Sequence, residues 1–151
     1  LCYLREIFPE ATITTDIMVG FPGETAEDFS ETLAFVERCQ FDVAYTFIYS
    51  KRSGTPAAKY PDQVPLAVKK ERLDALMARQ NPISLARNES LIGKTLPVLV
   101  EGISKNNAAA YAGRTEGNKI VSFAGTPEMV GQILPVKITE AKTWSLTGDV
   151  Q

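Results

Sequence analysis

The sequence predicts an α/β segment over residues 1–85 and a small all-β barrel over residues 86–151. Three observations support this fold class. Residues 14–25, TTDIMVGFPGET, are typical of a strand, a glycine turn and a helix start in succession. A second β-rich run and a long charged helical stretch follow. Beyond Lys94, five short β-rich segments recur with turn residues between them, which indicates a barrel.

The chain begins with LCYLREIFPEA, in which Leu1, Leu4, Ile7 and Phe8 fall on one helical face. We expect the remnant of a helix here, followed by a strand that ends at Val19. This stretch has neither an initiator Met nor the pattern of a signal peptide. We therefore interpret the sequence as a piece of a longer protein.

The first strand and its turn are the most informative local motif. Residues 14–19 are β-branched and apolar, which predicts a strand buried on both sides in a parallel sheet. The turn at residues 20–23 contains Gly20 and Gly23, which allow the backbone to approach a ligand closely. Thr25 and Asp28 predict a capping box at the start of the next helix. The carboxyl end of a parallel strand is where α/β folds bind ligands, although a plain connector stays an open alternative.

The remaining elements of the first half are a helix over residues 25–40, a strand over residues 43–50, a loop over residues 51–65 and a long helix from Pro65. Pro82 is expected to kink or interrupt that last helix, which resumes over residues 84–91 and stops near Gly93. The charged run at residues 69–72 is interpreted as a solvated helix face without a function.

The second half should form a five-stranded antiparallel barrel. Its predicted strands cover residues 95–101, 111–115, 119–123, 134–139 and 144–148. Turn signals separate them, for example at residues 104–107 and 116–118.

Composition excludes several classes of site. The chain has no histidine and only two cysteines, so neither a Cys/His zinc site nor a histidine-based triad can be built from it. Cys39 falls on the apolar face of a helix with Phe29, Leu33 and Val36 and is interpreted as a core residue. Two unpatterned cysteines favour a reducing, cytoplasmic location, and no apolar run approaches the roughly 20 residues of a membrane span. The net charge of −2 gives no general attraction to nucleic acid or membrane.

Two strands alone do not make a stable parallel sheet, because their edges stay open. We expect the missing strands to come from upstream sequence or from a second copy of the chain. A homo-oligomer that covers the open edges is one of these alternatives.

Several motifs resemble those of the radical S-adenosylmethionine methylthiotransferases. They are TTDIMVGFPGET, FDVAYTFIYSKRSGTPAA and DQVPLAVKKERL in the first half. VLVEGISK, GRTEGNKIVSFAG and GQILPVKITEA are similar to the family's RNA-binding TRAM barrel. The resemblance covers nearly the whole chain and is strongest to the MiaB branch. It implies the last βα units of a TIM-like radical S-adenosylmethionine barrel followed by an OB-like TRAM barrel.

The resemblance also implies an activity. The MiaB branch adds a methylthio group to C2 of N6-isopentenyladenosine beside the tRNA anticodon, using S-adenosylmethionine and two [4Fe–4S] clusters. Sister branches act on threonylcarbamoyl-adenosine in tRNA or on a ribosomal protein. The family's CxxxCxxC motif is missing here, and Cys2 and Cys39 match neither cluster. We therefore expect no bound cluster and no catalysis by this chain alone, which in isolation would be a non-catalytic RNA-binding module.

Candidate cofactor residues follow from the resemblance. Gly20, Phe21 and Gly23 would form one wall of an adenine site, and Ile48 with Tyr49 the other. For these strand residues the alternative is a place in the core. Lys51 and Arg52 are either anion ligands or solvated loop charges. Asp16 either pairs with a cation from upstream sequence or helps to form the site.

Candidate RNA-binding residues lie in the barrel. RNA readers combine cations that face phosphate with aromatic faces for unstacked bases. Possible stacking platforms are Tyr111, Phe123 and Trp144, of which Phe123 more often fills a barrel core and Trp144 is the better exposed candidate. The predicted cations are Lys94, Lys105, Arg114 and Lys119. The tRNA anticodon stem-loop is the expected partner.

Overall fold

A computed structural model describes residues 1–105 and 107–151, including every side chain among them except that of Cys2. Asn106, in the predicted turn at residues 104–107, lies outside the described residues. The chain forms two compact units. The first unit comprises Leu1–Pro9 and Ile13–Ile83, and the second comprises Glu10–Thr12 and Ser84–Gln151.

The first unit contains a two-stranded parallel sheet with helices beside it. Its elements are α1 (Cys2–Ile7), β1 (Thr14–Val19), α2 (Ala26–Cys39), β2 (Val43–Ile48), a 3-10 turn (Pro56–Lys59) and the start of α3 (Leu66–Glu89). β1 and β2 run parallel, with Val19 opposite Ile48. Both strands therefore end at the same edge, which brings the residues that follow them together.

One face of this sheet forms the core of the first unit. Val19 packs with Val36 and Cys39 of α2 and with Leu76 of α3, which confirms Cys39 as a core residue. The prediction that β1 is buried on both sides is wrong, since its residues alternate between covered and exposed. Helices cover only one face of the sheet among the described residues. Asp16 lies on the opposite, exposed face.

The start of α2 is held by the capping box that the sequence predicts. The Thr25 hydroxyl accepts a hydrogen bond from the Asp28 N–H at 3.1 Å, and the Asp28 carboxylate accepts from the Thr25 N–H at 2.9 Å. The carboxylate also accepts from the Thr25 hydroxyl at 2.9 Å. The backbone hydrogen bond first, and then the hydroxyl, lower the pKa of Asp28 below its ordinary 3.8.

This cap predicts a pH-dependent contribution to stability. Because the folded-state pKa of Asp28 is depressed, its stabilisation is present above pH 3.8 and is lost as the pH falls through the folded-state value. We expect the thermal midpoint of the native chain to exceed that of the Asp28→Asn variant at neutral pH, and the difference to shrink below pH 3.8. Thermal unfolding followed by circular dichroism across the acid range tests this. A difference that does not change with pH would contradict the role of the carboxylate.

The long helix α3 runs through Pro82 without a break, so the predicted interruption is wrong, while the alternative of a kink at Pro82 stays a prediction. A proline removes only one backbone donor, and packing on either side offsets that loss. Leu76 is fully buried before the proline, and Ser84 is fully buried just after it. The helix therefore continues to Glu89.

The second unit is a closed five-stranded barrel, as predicted. Its strands are β3 (Thr95–Ser104), β4 (Asn107–Thr115), β5 (Ile120–Phe123), β6 (Ile133–Ala141) and β7 (Leu146–Val150). The order around the barrel is β3-β4-β5-β7-β6, and β6 closes it by pairing with β3. The prediction of a wholly antiparallel barrel is wrong, because β5 and β7 run parallel. A closed ring with an odd number of strands cannot alternate direction throughout, so at least one pair must be parallel.

The barrel interior is filled by apolar side chains. Phe123 is buried there, which confirms its interpretation as a core residue. The other buried members are Val98, Val100, Val121, Val136, Ile138 and Leu146. Among the described residues, no helix is long and apolar enough to cross a membrane.

Candidate functional sites

The carboxyl edge of the two-stranded sheet carries an aromatic cluster. Tyr49 follows β2, and its N–H donates to the carbonyl of Val19 at 2.9 Å. The Phe21 ring meets the Tyr49 ring edge-on, with 5.2 Å between centroids and 70° between planes. Tyr60 contacts the other side of Phe21 at 6.4 Å. Phe21 and Tyr60 are partly exposed while Tyr49 is buried, so the cluster has a solvent-facing rim over a buried base.

Lys69 of α3 forms the floor of this cluster. Its ammonium donates to the Tyr49 carbonyl at 3.0 Å and lies 4.8 Å from the centre of the Tyr49 ring. Lys69 is only 8% exposed. The prediction that residues 69–72 are a solvated helix face is therefore wrong for Lys69 and Arg72, while Lys70 and Glu71 are exposed as expected.

The glycine turn is held by a second set of buried charges. The Glu24 carboxylate accepts from the Gly20 N–H at 2.8 Å and from Arg72 at 2.5 Å. Arg72 also donates to the Glu24 carbonyl at 3.0 Å. The Gly23 N–H donates to the Asp62 carbonyl at 2.8 Å. These bonds fix the turn in one conformation before any ligand arrives.

The predicted cofactor residues divide into two groups. Gly20, Phe21 and Tyr49 are close together at the carboxyl edge. The Gly23 N–H is already used by protein, and Ile48 packs against the core cluster instead of facing solvent. The Tyr49 hydroxyl is buried and has no hydrogen-bond partner among the described residues.

The charged residues beside this edge are exposed. Lys51 and Arg52 lie on the surface of the loop after β2, so both alternatives for them stay open. Asp16 is also exposed, so the desolvation cost expected for a buried carboxylate does not arise in this chain.

In the second unit, three of the four predicted RNA-binding cations have protein partners. Lys94 pairs with Glu10 at 3.2 Å. Arg114 pairs with Glu101 at 3.2 Å and donates to the Asn118 side chain at 2.9 Å. The Lys119 ammonium donates to the Asn88 side chain at 2.8 Å. Lys105 is exposed and has no partner among the described residues.

The turn between β6 and β7, residues 142–145, is fixed in place and carries Trp144. The buried Asn88 amide donates to the carbonyls of Lys142 at 2.8 Å and Thr143 at 3.1 Å. The Lys142 N–H donates to the Ser145 carbonyl at 2.8 Å. Trp144 is 56% exposed on this rigid turn, as a stacking platform requires.

A groove of about 390 Å³ opens beside this turn, between β4 and β7. It exists because β5 is short. β5 ends at Phe123, whereas β4 reaches back to Asn107 and β7 continues to Val150. Polar and small residues predominate in its lining, which consists of Ser104, Asn107, Ala110, Ser122, Phe123, Ala124, Lys142, Ser145, Thr147, Gly148 and Asp149.

Several of these residues are missing from the sequence-based prediction. Lys69 could have been found by spacing, since it lies four residues before Leu73 and seven before Leu76 on the core-facing side of α3. Asn88 has no comparable signal, because a buried amide is indistinguishable in sequence from a surface one. Glu24 and Tyr60 are likewise revealed only by the structure.

Comparison with known protein families gives an independent result. Residues 89–151 match the TRAM domain. The chain is 53% identical over 147 residues to a tRNA-2-methylthio-N(6)-dimethylallyladenosine synthase of Acetivibrio thermocellus, covering 97% of this chain and 31% of that protein. Proteins of the same name from Pelotomaculum thermopropionicum and Bacillus subtilis are each 54% identical over 97% of this chain and are covered to 33% and 29%.

These relatives match both compact units, and the resemblance in the sequence motifs is confirmed. The chain spans about a third of the length of the relatives. The chain is therefore similar, through both compact units, to one part of the tRNA-2-methylthio-N(6)-dimethylallyladenosine synthases, and its residues 89–151 match the TRAM domain.

Proposed function

We propose that this chain is part of a tRNA methylthiotransferase, which adds a methylthio group to C2 of N6-isopentenyladenosine next to the anticodon by radical S-adenosylmethionine chemistry. One observation carries the proposal. Over 97% of its length, through both compact units, the chain is 53% identical to a protein whose name states this activity. The first unit would contribute to the cofactor site and the TRAM barrel would bind tRNA. A cytoplasmic location fits a tRNA substrate.

The carboxyl edge of the sheet suits the adenosine part of S-adenosylmethionine. Adenine needs an apolar slot, and the exposed Phe21 ring beside the glycine turn supplies apolar surface for it. The buried Tyr49 hydroxyl has no protein partner among the described residues, so a ligand that reaches it would supply its missing hydrogen bond. Gly23 would hold the turn through Asp62, and Ile48 would support the site from the core. When bound, the cofactor supplies the radical and the methyl group.

The residues of this chain do not fit a [4Fe–4S] cluster. Such a cluster needs about three or four thiolates, and the sequence holds only Cys2 and Cys39. Cys39 is a buried core residue. We infer that both clusters of the family are bound by residues outside this chain, and that the chain alone is inactive.

The exposed face of the β1–β2 sheet supports a partial radical S-adenosylmethionine barrel. Met18, Tyr45 and Phe47 are each at least half exposed on that face, while helices cover the other. An apolar face of this kind fits the interior of a barrel whose other strands lie elsewhere. Among the described residues each strand pairs only with the other, so a homo-oligomer that covers the open edges stays a proposal. A purely monomeric sedimentation profile of the chain would contradict the homo-oligomer.

The decisive test of the function uses the intact protein that contains this chain, reconstituted anaerobically. We expect mass spectrometry of the digested tRNA to show the 2-methylthio derivative of isopentenyladenosine. The same tRNA without the isopentenyl group is the matched control and should not react. Threonylcarbamoyl-adenosine tRNA and the ribosomal protein test the sister branches. Turnover on either of these, and none on isopentenylated tRNA, would overturn the proposed substrate.

The Tyr49 hydroxyl gives a sharper test of the cofactor site. Tyr49→Phe removes a buried hydroxyl without a protein partner among the described residues, so the stability of the chain should stay the same or rise slightly. In the intact protein, the same change should weaken S-adenosylmethionine binding about two- to tenfold, the value of one neutral hydrogen bond. Equilibrium dialysis measures this. The control is Tyr60→Phe, which alters a partly exposed side chain in the same cluster and should bind normally. If Tyr49→Phe binds S-adenosylmethionine with unchanged affinity, the Tyr49 hydroxyl does not contact the cofactor.

A further inference from the structure

We propose that the groove between β4 and β7 holds one unstacked nucleotide of single-stranded RNA, with Trp144 stacking on a base and Lys142 contacting a phosphate. This inference rests on the proposed function and deepens it, because it places RNA contacts at residues other than most of the predicted cations. Four features of the second unit support it: the shape of the groove, its open strand edges, its charge and its rigid rim.

The shape of the groove follows from strand lengths. β5 pairs with β7 only through Val121–Leu146 and Ser122–Thr147. Beyond those pairs, β4 and β7 flank a gap that no strand of the described residues fills. The gap is about 390 Å³, within the range of roughly 300–1,000 Å³ that holds small ligands. It is therefore large enough for a single nucleotide unit and too short for a helical stem.

The strand edges along the gap can bind a base. Gly148 and Asp149 lie past the last residue pair of β5 and β7, so the side of β7 that faces the gap has no ladder partner there. Backbone groups at such an edge can read the hydrogen-bonding edge of an unstacked base. The hydroxyls of Ser122 and Thr147 add donors and acceptors on the outer face.

The charges in the groove fit a nucleotide and not an acidic protein strand. Lys142 lines the groove, and its ammonium has no partner among the described residues. The Asp149 carboxylate also lines the groove. It repels phosphate but accepts hydrogen bonds from the amino group of a base, as carboxylates do from cytosine. We therefore expect the groove to favour adenine or cytosine over uracil.

Hydrogen bonds from the side chain of Asn88 hold the backbone of the rim. Asn88, which is only 4% exposed, holds the backbone of the turn through its bonds to Lys142 and Thr143, and Lys119 in turn binds the Asn88 side chain. Asn88 and Lys119 are thus positioning residues. A turn whose backbone is already held loses less entropy on binding, which favours stacking on Trp144. Lys105 follows Ser104, a lining residue, so the strand end at that point adds a second unpaired cation.

The test uses the native 151-residue chain, in which Trp144 is the only tryptophan and reports its own contacts. Short oligo(A), oligo(C) and oligo(U) RNAs are titrated while tryptophan emission is recorded, and the affinity of labelled RNA is measured by anisotropy. We expect saturable quenching, with oligo(A) and oligo(C) binding more tightly than oligo(U). Trp144→Ala should weaken binding about tenfold and Trp144→Phe less, since a ring is kept. Lys142→Ala should weaken binding and reduce the salt slope by about 0.7.

The control variant is Lys70→Ala, which removes an exposed lysine of the first unit and should bind as the native chain does. Asp149→Ala should remove the preference against oligo(U). The altered residues Lys142, Trp144 and Asp149 are all exposed, so we expect each variant to fold. Circular dichroism verifies this. RNA binding with constant tryptophan emission, and with native affinity in both Trp144→Ala and Lys142→Ala, would overturn this site while leaving tRNA binding in place. Absence of RNA binding by a folded chain would overturn both the groove and the proposed role of the barrel.

Discussion

Replacement of Gly113 by alanine is expected to destabilise the TRAM barrel by about 3 kcal/mol, enough to unfold much of a marginal domain. A methyl group at Gly113 would overlap the backbone carbonyl of Leu99 and lie 2.6 Å from Val98 Cγ1. Gly113 is paired with Val100 in the β3–β4 ladder, so neither strand can retreat without losing hydrogen bonds. The obstacle is backbone on the facing strand, which cannot rotate away as a side chain can.

The matched control is Gly131→Ala, also in the second unit. A methyl group there meets no atom of the described part of the chain within 4 Å, although the positive φ of 84° should still cost about 1 kcal/mol. Urea midpoints followed by the emission of Trp144 report on this unit specifically. Gly113→Ala should also lose RNA binding, whereas Gly131→Ala should keep it. Equal midpoints for the two variants would show that β3 and β4 adjust to the added methyl.

The fold could be predicted from the sequence where local pattern and tertiary packing agree. The five barrel strands, the capping box at Thr25 and the core role of Cys39 follow from alternation, capping chemistry and helical spacing. The wrong predictions concern features of the fold that are determined by contacts between residues distant in sequence. Nothing local in β5 and β7 indicates that they lie side by side and run parallel. Likewise, Pro82 lowers helix propensity, but packing on either side offsets that loss.

The candidate sites were only partly predictable, because α3 buries polar residues. Lys69, Gln80, Ser84 and Asn88 are each at least 90% buried, and every one of them is of a type that normally marks a solvated face. Gln80 donates to the carbonyl of Phe41 at 2.8 Å, just as Lys69 and Asn88 serve other backbone carbonyls. Helical spacing can place Lys69 on the core-facing side of α3, but it cannot reveal these hydrogen bonds, since the partners are loop carbonyls distant in sequence.

The second large effect is expected at Gly20, where the turn meets Lys69. Gly20 has a φ of 74°, which alanine adopts at a cost of about 1 kcal/mol. A methyl group would also overlap the aliphatic stem of Lys69 and approach its Cδ to 2.9 Å. The stem cannot swing away freely, because the ammonium is tied to the Tyr49 carbonyl at 3.0 Å. We expect Gly20→Ala to destabilise the first unit by about 2–3 kcal/mol in total.

Two comparisons isolate the contact with Lys69. Gly23 has a similar φ of 87°, but a methyl group there meets no atom within 4 Å among the residues that the structure describes. Gly23→Ala should therefore show only the backbone cost. In the Gly20→Ala, Lys69→Ala double variant the obstructing stem is gone, and the two changes should cost less together than their separate costs by about 1 kcal/mol or more. The coupling is obtained from urea unfolding, followed by circular dichroism, of the native chain, the two single variants Gly20→Ala and Lys69→Ala, and the double variant. A coupling near zero would mean that Lys69 moves aside freely, and the buried lysine would then not be what requires glycine at the start of this turn.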